Sequence, residues 1–446
     1  MYKNSQSFIY NIENLRNKNN GKYINYYKGL VNFPNQINRI STLDDKIYKP
    51  NVNIHSIDFS SLSQNQKPKK NYTSLEEYHF FNNQNSRRKK TDDYEFSNYN
   101  LNRNNTVKQD ELKLIISSKI GLNNLGNTCY MNTCLQNLIH SQDFIERLLK
   151  KKSIINGKLT PITHQFLNLC QKILYSRNSI EPEDFKYYFG KKHPEYKGYG
   201  QNDTQEFCRI VLEDMNEELN EVKYKVKYKE LSTKGKSKGQ CDKEFDELFH
   251  SKESSIVIDS FYGQIVNIFT CDCSNEVYSF EKVMELPLLL PGGKSSISIE
   301  DLLDEYFRED IIKFNTNCEN CKKRGYRKKE IKFSQPPNIL ILSLQRMDLR
   351  INRKNNCAVE FSEKLKIKKY IDEECGNRHD YKYKLYGIGC HSGQINKGHY
   401  YAYIKIKDKD WYEFNDSKVN YYGDEINTKN IFSSVYILFY KKRKNN

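Results

Sequence analysis

The chain has 446 residues, a net charge of +16 from 72 basic and 56 acidic side chains, and 37% hydrophobic residues. That hydrophobic share lies below the ~45–50% of ordinary globular chains, and no apolar run approaches the ~20 residues that span a bilayer, so no transmembrane helix is expected. Met1-Tyr2-Lys3-Asn4-Ser5 lacks the apolar stretch of a secretory signal, so the twelve cysteines are expected in a reducing compartment, cytoplasmic or nuclear.

The first 111 residues hold too little apolar surface to offset the entropy of ordering, and Asn fills 22 of the first 110 positions. They are expected to be a disordered or low-complexity extension. The foldable part then starts near residue 112, with about 330 residues for one large core or two joined ones. Residues 129–141 place Met131, Leu135, Leu138 and Ile139 at helical spacing behind the capping types Asn127 and Thr128. Residues 204–220 repeat the pattern with Phe207, Ile210, Val211 and Leu212. A Lys- and Gly-rich stretch at 223–238 reads as an inserted loop. Beyond Ile256 strand signals dominate, at 261–270, 339–344, 383–389, 400–406, 411–414 and 435–440. Helices first and strands second predict an α+β fold. The positive charge would suit a polyanion, but the lysines are scattered or lie in tails and insert, which argues against nucleic acid. Arg87-Arg88-Lys89-Lys90 and Lys441-Lys442-Arg443-Lys444 match nuclear import signals, with solvated tails as the alternative.

Three constellations could carry chemistry. Cys129 sits where the loop from Gly121 enters the first predicted helix, and a helix N-terminus favours thiolate over thiol. Asn124, five residues upstream, could donate to an oxyanion. A buried structural cysteine is the competing reading of the same local features. His399 heads the aromatic run His399-Tyr400-Tyr401-Ala402-Tyr403, and a turn at Asp408-Lys409-Asp410 precedes Trp411-Tyr412-Glu413-Phe414-Asn415-Asp416. A hairpin folded about residues 408–409 sets His399 opposite a position near 418, within about two residues, and so near Asn415 and Asp416. A carboxamide or carboxylate there could hold the imidazole in one tautomer. Cys271-Asp272-Cys273 and Cys318-Glu319-Asn320-Cys321 are two close pairs that suit a closed tetrahedral zinc site. Four thiols packing without metal is the alternative.

Spacing alone cannot bring Cys129 to His399. The segment around Cys129, however, resembles the Cys box of the ubiquitin-specific proteases, and residues 391–403 with 411–419 resemble that family's His box. Between them, Gly200-Gln201-Asn202-Asp203-Thr204-Gln205-Glu206-Phe207 is similar to its glutamine/aspartate box. Residues 337–346 resemble its leucine/arginine strand and residues 435–440 its closing strand. The resemblance covers about residues 119–441, in the family's order.

The resemblance implies a papain-like cysteine protease, domain 112–441, with a helical thumb, a β palm and zinc-bearing fingers at about 262–335. It also implies a Lys-rich insert at about 222–255 and a basic tail at 442–446. The implied substrate is ubiquitin joined through its C-terminal glycine, in ubiquitinated proteins, cut by a single copy of the chain. By the same resemblance Cys129 is the nucleophile, His399 the general base, Asn415 the residue that orients it, Asp416 a support of that network and Asn124 the oxyanion donor. Asp203 and Glu206 would meet the arginines of ubiquitin's tail, with Tyr400 and His391 as further substrate contacts. Cys271, Cys273, Cys318 and Cys321 would hold a structural zinc, with no catalytic cofactor. The C-x-C spacing of the first pair and the Thr133-Cys134 pair after Asn132 depart from the family's pattern. A catalytically inactive ubiquitin-binding scaffold is the alternative, against which the filled Cys129 and His399 positions argue.

Overall fold

The computed structural model describes residues 105–151, 161–223, 231, 233, 235–348, 353–376, 381–394, 397–426, 429 and 431–443. Apart from the start of its first helix, the expected Asn-rich extension lies outside these residues. In chain order the helices are α1 (Asn105–Ile116), α2 (Cys129–Ile139), α3 (Gln142–Lys150), α4 (Pro161–Tyr175), α5 (Glu183–Lys192), α6 (Thr204–Leu219), α7 (Lys238–His250), α8 (Ile256–Phe261) and, between strands, α9 (Ile299–Tyr306). None of the described helices is long and apolar enough to cross a membrane.

The longer strands are β1 (Gly263–Thr270), β2 (Glu276–Val283), β3 (Glu285–Leu289), β4 (Asp310–Phe314), β5 (Gly325–Gln335), β6 (Ile339–Gln345), β7 (Lys382–Gln394), β8 (Lys397–Ile406), β9 (Asp410–Asn415), β10 (Lys418–Gly423) and β11 (Val435–Lys442). They build two main sheets. An antiparallel four-stranded sheet in the order β2-β1-β5-β4 forms the fingers. An eight-stranded sheet in the order β10-β9-β8-β7-β11-β6-β3, with Lys364–Lys366 beside β7, forms the palm.

The central palm strands β6 and β11 are buried on both faces, which explains why they read as unbroken apolar runs. Alternate residues of β6 part company: Ile339 and Ile341 join the helical core, whereas Leu340, Leu342 and Leu344 join the core on the opposite face. Arg346, at the end of β6, is buried and spends its guanidinium on four carbonyls, those of Val435, Asn355, Cys357 and Phe432.

Every residue of α2 is buried. Its side-chain amide N–H groups are placed on nearby carbonyls: Gln136 Nε2 donates to Ile120 O at 2.9 Å and Asn137 Nδ2 to Thr133 O at 2.8 Å. It lies flush on β7 because β7 offers glycine there. A Cβ on Gly387 would come 2.2 Å from Asn137 Oδ1. The stretch read as a free insert is structured from Ser237 onward. A capping box between Ser237 and Gln240 starts α7, whose Cys241 and Phe245 pack on Val266, Ile268 and Phe280 of the fingers. The basic run at 441–444 is likewise not all tail: Lys441 and Lys442 are in β11, and Lys441 pairs with Asp408 at 2.8 Å.

Candidate active site

Cys129 is the first residue of α2 and is buried. The loop before it is shaped by Asn124, whose Oδ1 accepts from the backbone N–H of Gly126 and of Thr128, each at 3.0 Å. Gly126 and Asn127 turn the chain with φ of 100° and 55°, and Thr128 Oγ1 accepts from Leu125 N at 2.8 Å. The first intrahelical bond runs from Asn132 N to Thr128 O, so the N–H groups of the first turn face the sulfur's surroundings unpaired within the helix.

His399 stands on β8 and is half-buried. Its Nε2 lies 2.7 Å from Asn415 Oδ1. Since that oxygen can only accept, Nε2 carries the proton, and Nδ1 is the ring nitrogen left for sulfur. The imidazole pKa is pushed up to about 9, first by its hydrogen bond with the Cys129 side chain, against burial, and further by Asn415 and by the charges of Cys129 and Asp416. A hydrogen bond between imidazole and sulfur is the contact that a cysteine nucleophile and its general base require. The β8–β9 hairpin that delivers Asn415 turns at Lys407 and Asp408, both left-handed with φ of 52° and 59° as in a type I′ turn, closed by Lys409 N donating to Ile406 O at 3.0 Å. Its register, Ala402 opposite Phe414 and Ile406 opposite Asp410, carries His399 toward 417, one position from the sequence-based value of 418.

Asp416 does something other than expected. Its Oδ2 accepts from Asn124 Nδ2 at 2.9 Å and its Oδ1 from Asn132 Nδ2 at 2.8 Å. Its own carbonyl accepts from Leu122 N at 2.9 Å. It touches the cysteine loop, not the histidine, which it reaches only through its field. The left-handed turn at Asp416 (φ 51°) is the cause: it points the carboxylate away from the strand that carries Asn415. Asn132, which the sequence did not single out, is the second residue held by this carboxylate. Asn124 keeps one of its two amide N–H bonds for another acceptor.

Four expected substrate contacts are placed differently from one another. Asp203 caps α6: Oδ1 accepts from Gln205 N at 2.7 Å and from Glu206 N at 3.2 Å, and Oδ2 is bonded to the Tyr436 hydroxyl. Its carboxylate is already engaged, so its first role is to start the helix. Glu206 is exposed; its carboxyl is raised by partial desolvation and by Asp203 and Glu195, with Arg209 opposing. Tyr400 and His391 are buried, with 6% and 2% exposure; they face each other across the β7–β8 ladder with ring centres 4.5 Å apart and planes tilted by 46°. Burial, then the charges of Lys354, His399 and Arg346, lowers His391 to about 4, so it is neutral. The sequence also passed over Glu285. Gln205 Nε2 donates to Glu285 Oε1 and Gln345 Nε2 to Gln205 Oε1, both at 3.0 Å, tying α6 to β3 and β6.

The fingers bring Cys271, Cys273, Cys318 and Cys321 together, all four sulfurs within 4.8 Å of one another. Cys271 and Cys321 are 3.7 Å apart and Cys273 and Cys318 3.6 Å. A tetrahedral ion with ~2.3 Å metal–sulfur bonds sets its ligands about 3.8 Å apart, so the cluster fits such an ion. Left-handed Ser274 and Lys322 (φ 64° and 60°) fold each pair into a tight turn, so the missing residue of the C-x-C pair does not prevent convergence. Backbone N–H groups of Asn275 and Cys321 pull the Cys273 and Cys318 thiols down.

The family model described as "Ubiquitin carboxyl-terminal hydrolase" matches residues 120–440. Ubiquitin carboxyl-terminal hydrolase Usp2 of Drosophila melanogaster is 31% identical over 337 residues, covering 72% of this chain and 34% of its own length. Ubiquitin carboxyl-terminal hydrolase 2 of Gallus gallus is 29% identical over 343 residues, covering 73% of this chain and 94% of its own. Thus the chain spans about a third of the Drosophila relative and nearly all of the Gallus one. Among solved structures, the SAGA Ubp8/Sgf11/Sus1/Sgf73 DUB module bound to ubiquitin aldehyde has the same fold, with a TM-score of 0.59, 24% identity, and 74% of this chain and 71% of that one covered.

Proposed function

The chain belongs to the ubiquitin carboxyl-terminal hydrolase family, of the ubiquitin-specific protease type, and we propose that it is an active thiol-dependent deubiquitinase. The observation that carries this reading is the hydrogen-bonded line Cys129–His399–Asn415, with the imidazole pKa raised to about 9 by its contact with sulfur. The Cys129 thiolate attacks the carbonyl of ubiquitin's C-terminal glycine. The new oxyanion accepts from Asn124 Nδ2–H and from backbone N–H at the start of α2. His399 gives its proton to the departing lysine amine, leaving a thioester on Cys129. His399, now neutral, takes a proton from water, whose oxygen adds to the thioester; the Cys129 thiolate leaves and the ubiquitin carboxylate is released.

The substrates are ubiquitin conjugates of other proteins, met by a single copy of the chain. Absence of disulfides among the described cysteines supports a cytoplasmic or nuclear location. Zinc is the ion best matched by four thiolates in tetrahedral array; it would be held by Cys271, Cys273, Cys318 and Cys321 and would brace the fingers, taking no part in bond cleavage. The test is hydrolysis of a ubiquitin–fluorophore amide. Wild-type protein should turn it over, and Cys129→Ala and His399→Ala should each abolish turnover while still binding ubiquitin. A Cys129→Ala protein working at the wild-type rate would remove the assignment, and a wild-type protein that binds but never turns over would support the inactive scaffold.

A further inference from the structure

We propose that Gln201 is a positioning residue, the anchor of a tie between the strand that carries His399 and the loop that carries Cys129. The inference rests on the acyl-transfer reading above. β9 pairs with β8 only from Ala402 to Ile406. Beyond that point the edge of β8 that leads to His399 has no neighbouring strand on this side among the described residues. Gln201 fills the place of one. Its Nε2 donates to Gly398 O at 3.1 Å and its Oε1 accepts from Gly398 N at 3.3 Å. A residue's N–H and C=O point the same way from a strand. One carboxamide therefore closes the open edge immediately before His399.

The same short loop is fastened at its other end to the cysteine side. Asn127 Nδ2 donates to Tyr199 O at 2.7 Å. The Tyr199 ring covers Gly126, where a Cβ would come 2.7 Å from it. Gly126 and Asn127 are the two left-handed residues that aim the chain into α2. Lys186 steadies the loop from below, donating to Gly198 O at 3.2 Å with its ammonium 4.9 Å from the Tyr199 ring centre. Residues 198–201 thus bridge the two walls of the site. The separation of sulfur and imidazole is set at both ends by hydrogen bonds to this bridge. Gln201 and Asn127 are both exposed, so changing either leaves the buried cores intact.

The experiment uses the full chain with Gln201→Ala, Asn127→Gly and the double variant; glycine keeps the left-handed backbone at 127 while removing the amide. Each single change should lower kcat for a ubiquitin–fluorophore amide about tenfold, with KM within about twofold. The double variant should be no worse than the poorer single one, because either cut opens the tie. Without ubiquitin, alkylation of Cys129 by iodoacetamide at neutral pH should slow in parallel. The His399 titration, followed by NMR of labelled histidine, should fall from about 9 toward 6.5. Raised KM with unchanged kcat, alkylation and titration would overturn the proposal in favour of a substrate contact. Faster turnover and alkylation would overturn it in favour of an obstructing loop. If wild-type protein has no turnover, the functional reading fails, and alkylation and titration still decide for or against the tie.

Discussion

Asp416→Asn separates two roles that the sequence left fused. Asparagine tolerates the left-handed backbone at 416. It replaces one of the two carboxylate oxygens, which now accept from Asn124 and Asn132 at 2.9 and 2.8 Å, by an amide donor. Either Asn124 or Asn132 then faces donor against donor. Two charge-assisted bonds, at about 1.5–3 kcal/mol each, are replaced by at most one neutral bond of about 1 kcal/mol. If Asn124 swings away, one oxyanion donor is lost, which costs about 10²–10³ in kcat. Asn415→Ala removes a single bond to a ring also held by sulfur, and should cost only about tenfold. Steady-state hydrolysis of a ubiquitin–fluorophore amide reads both, with KM little changed in either. The decisive comparison is the pair of cycles. Asp416→Asn should be strongly non-additive with Asn124→Ala and additive with Asn415→Ala. The opposite pattern would mean that Asp416 orients the histidine and that the contacts to the cysteine loop are incidental.

Protein purified without chelators should carry about one equivalent of zinc by elemental analysis, and Cys321→Ser should lose it, loosen the fingers to protease and weaken ubiquitin binding while Cys129 keeps its reactivity toward iodoacetamide; well under one equivalent in the wild type would reject the site. His391 sits near 4 folded against 6.5 unfolded, so unfolding takes up a proton between those values and stability should fall as pH drops from 6.5 to 4, by up to about 3 kcal/mol. Urea titrations should show that slope in the wild type and lose it in His391→Phe; an unchanged slope would contradict the burial argument. His399 is shifted the other way, so the stability it contributes is complete below 6.5 and drains as pH rises toward about 9, and turnover should decline through the same upper limit as the imidazolium is lost. Asp203→Ala should cost about 1 kcal/mol in stability as a lost cap and show little coupling to the arginines of ubiquitin's tail, whereas exposed Glu206→Ala should raise KM; coupling as large at Asp203 as at Glu206 would restore Asp203 as a tail contact.

Much of the site was legible because its parts are local. Cys129 stands out at a loop entering an amphipathic helix, His399 and Asn415 in a hairpin whose register is set within a residue by its turn, and the metal cluster as pairs of cysteines, while the pairing of Cys129 with His399 and the roles of both rest on the family resemblance. What was hidden depends on side-chain direction. Asp416 and Asn415 are adjacent in sequence, yet one left-handed backbone sends their side chains to opposite halves of the site. His391 and Tyr400 look like cleft residues because they flank His399, but the β7–β8 ladder turns them inward. Asn132 and Glu285 gave no signal at all, since a polar side chain within an apolar helix or at a strand start is unremarkable until its partner arrives from far along the chain. The helices α3, α4 and α5 carry no chemical motif, and α7, which packs on the fingers, starts within a Lys- and Gly-rich stretch that masks its capping box.

The central claim is that one of twelve cysteines, Cys129, forms an acyl bond to ubiquitin's C-terminal carbonyl. Its most direct test is intact-mass and peptide mapping after reaction with a ubiquitin whose C-terminus carries a thiol-reactive electrophile. The account predicts a single adduct, located on Cys129 and absent from Cys129→Ala. An adduct on any other cysteine, or none with folded wild-type protein, would contradict it.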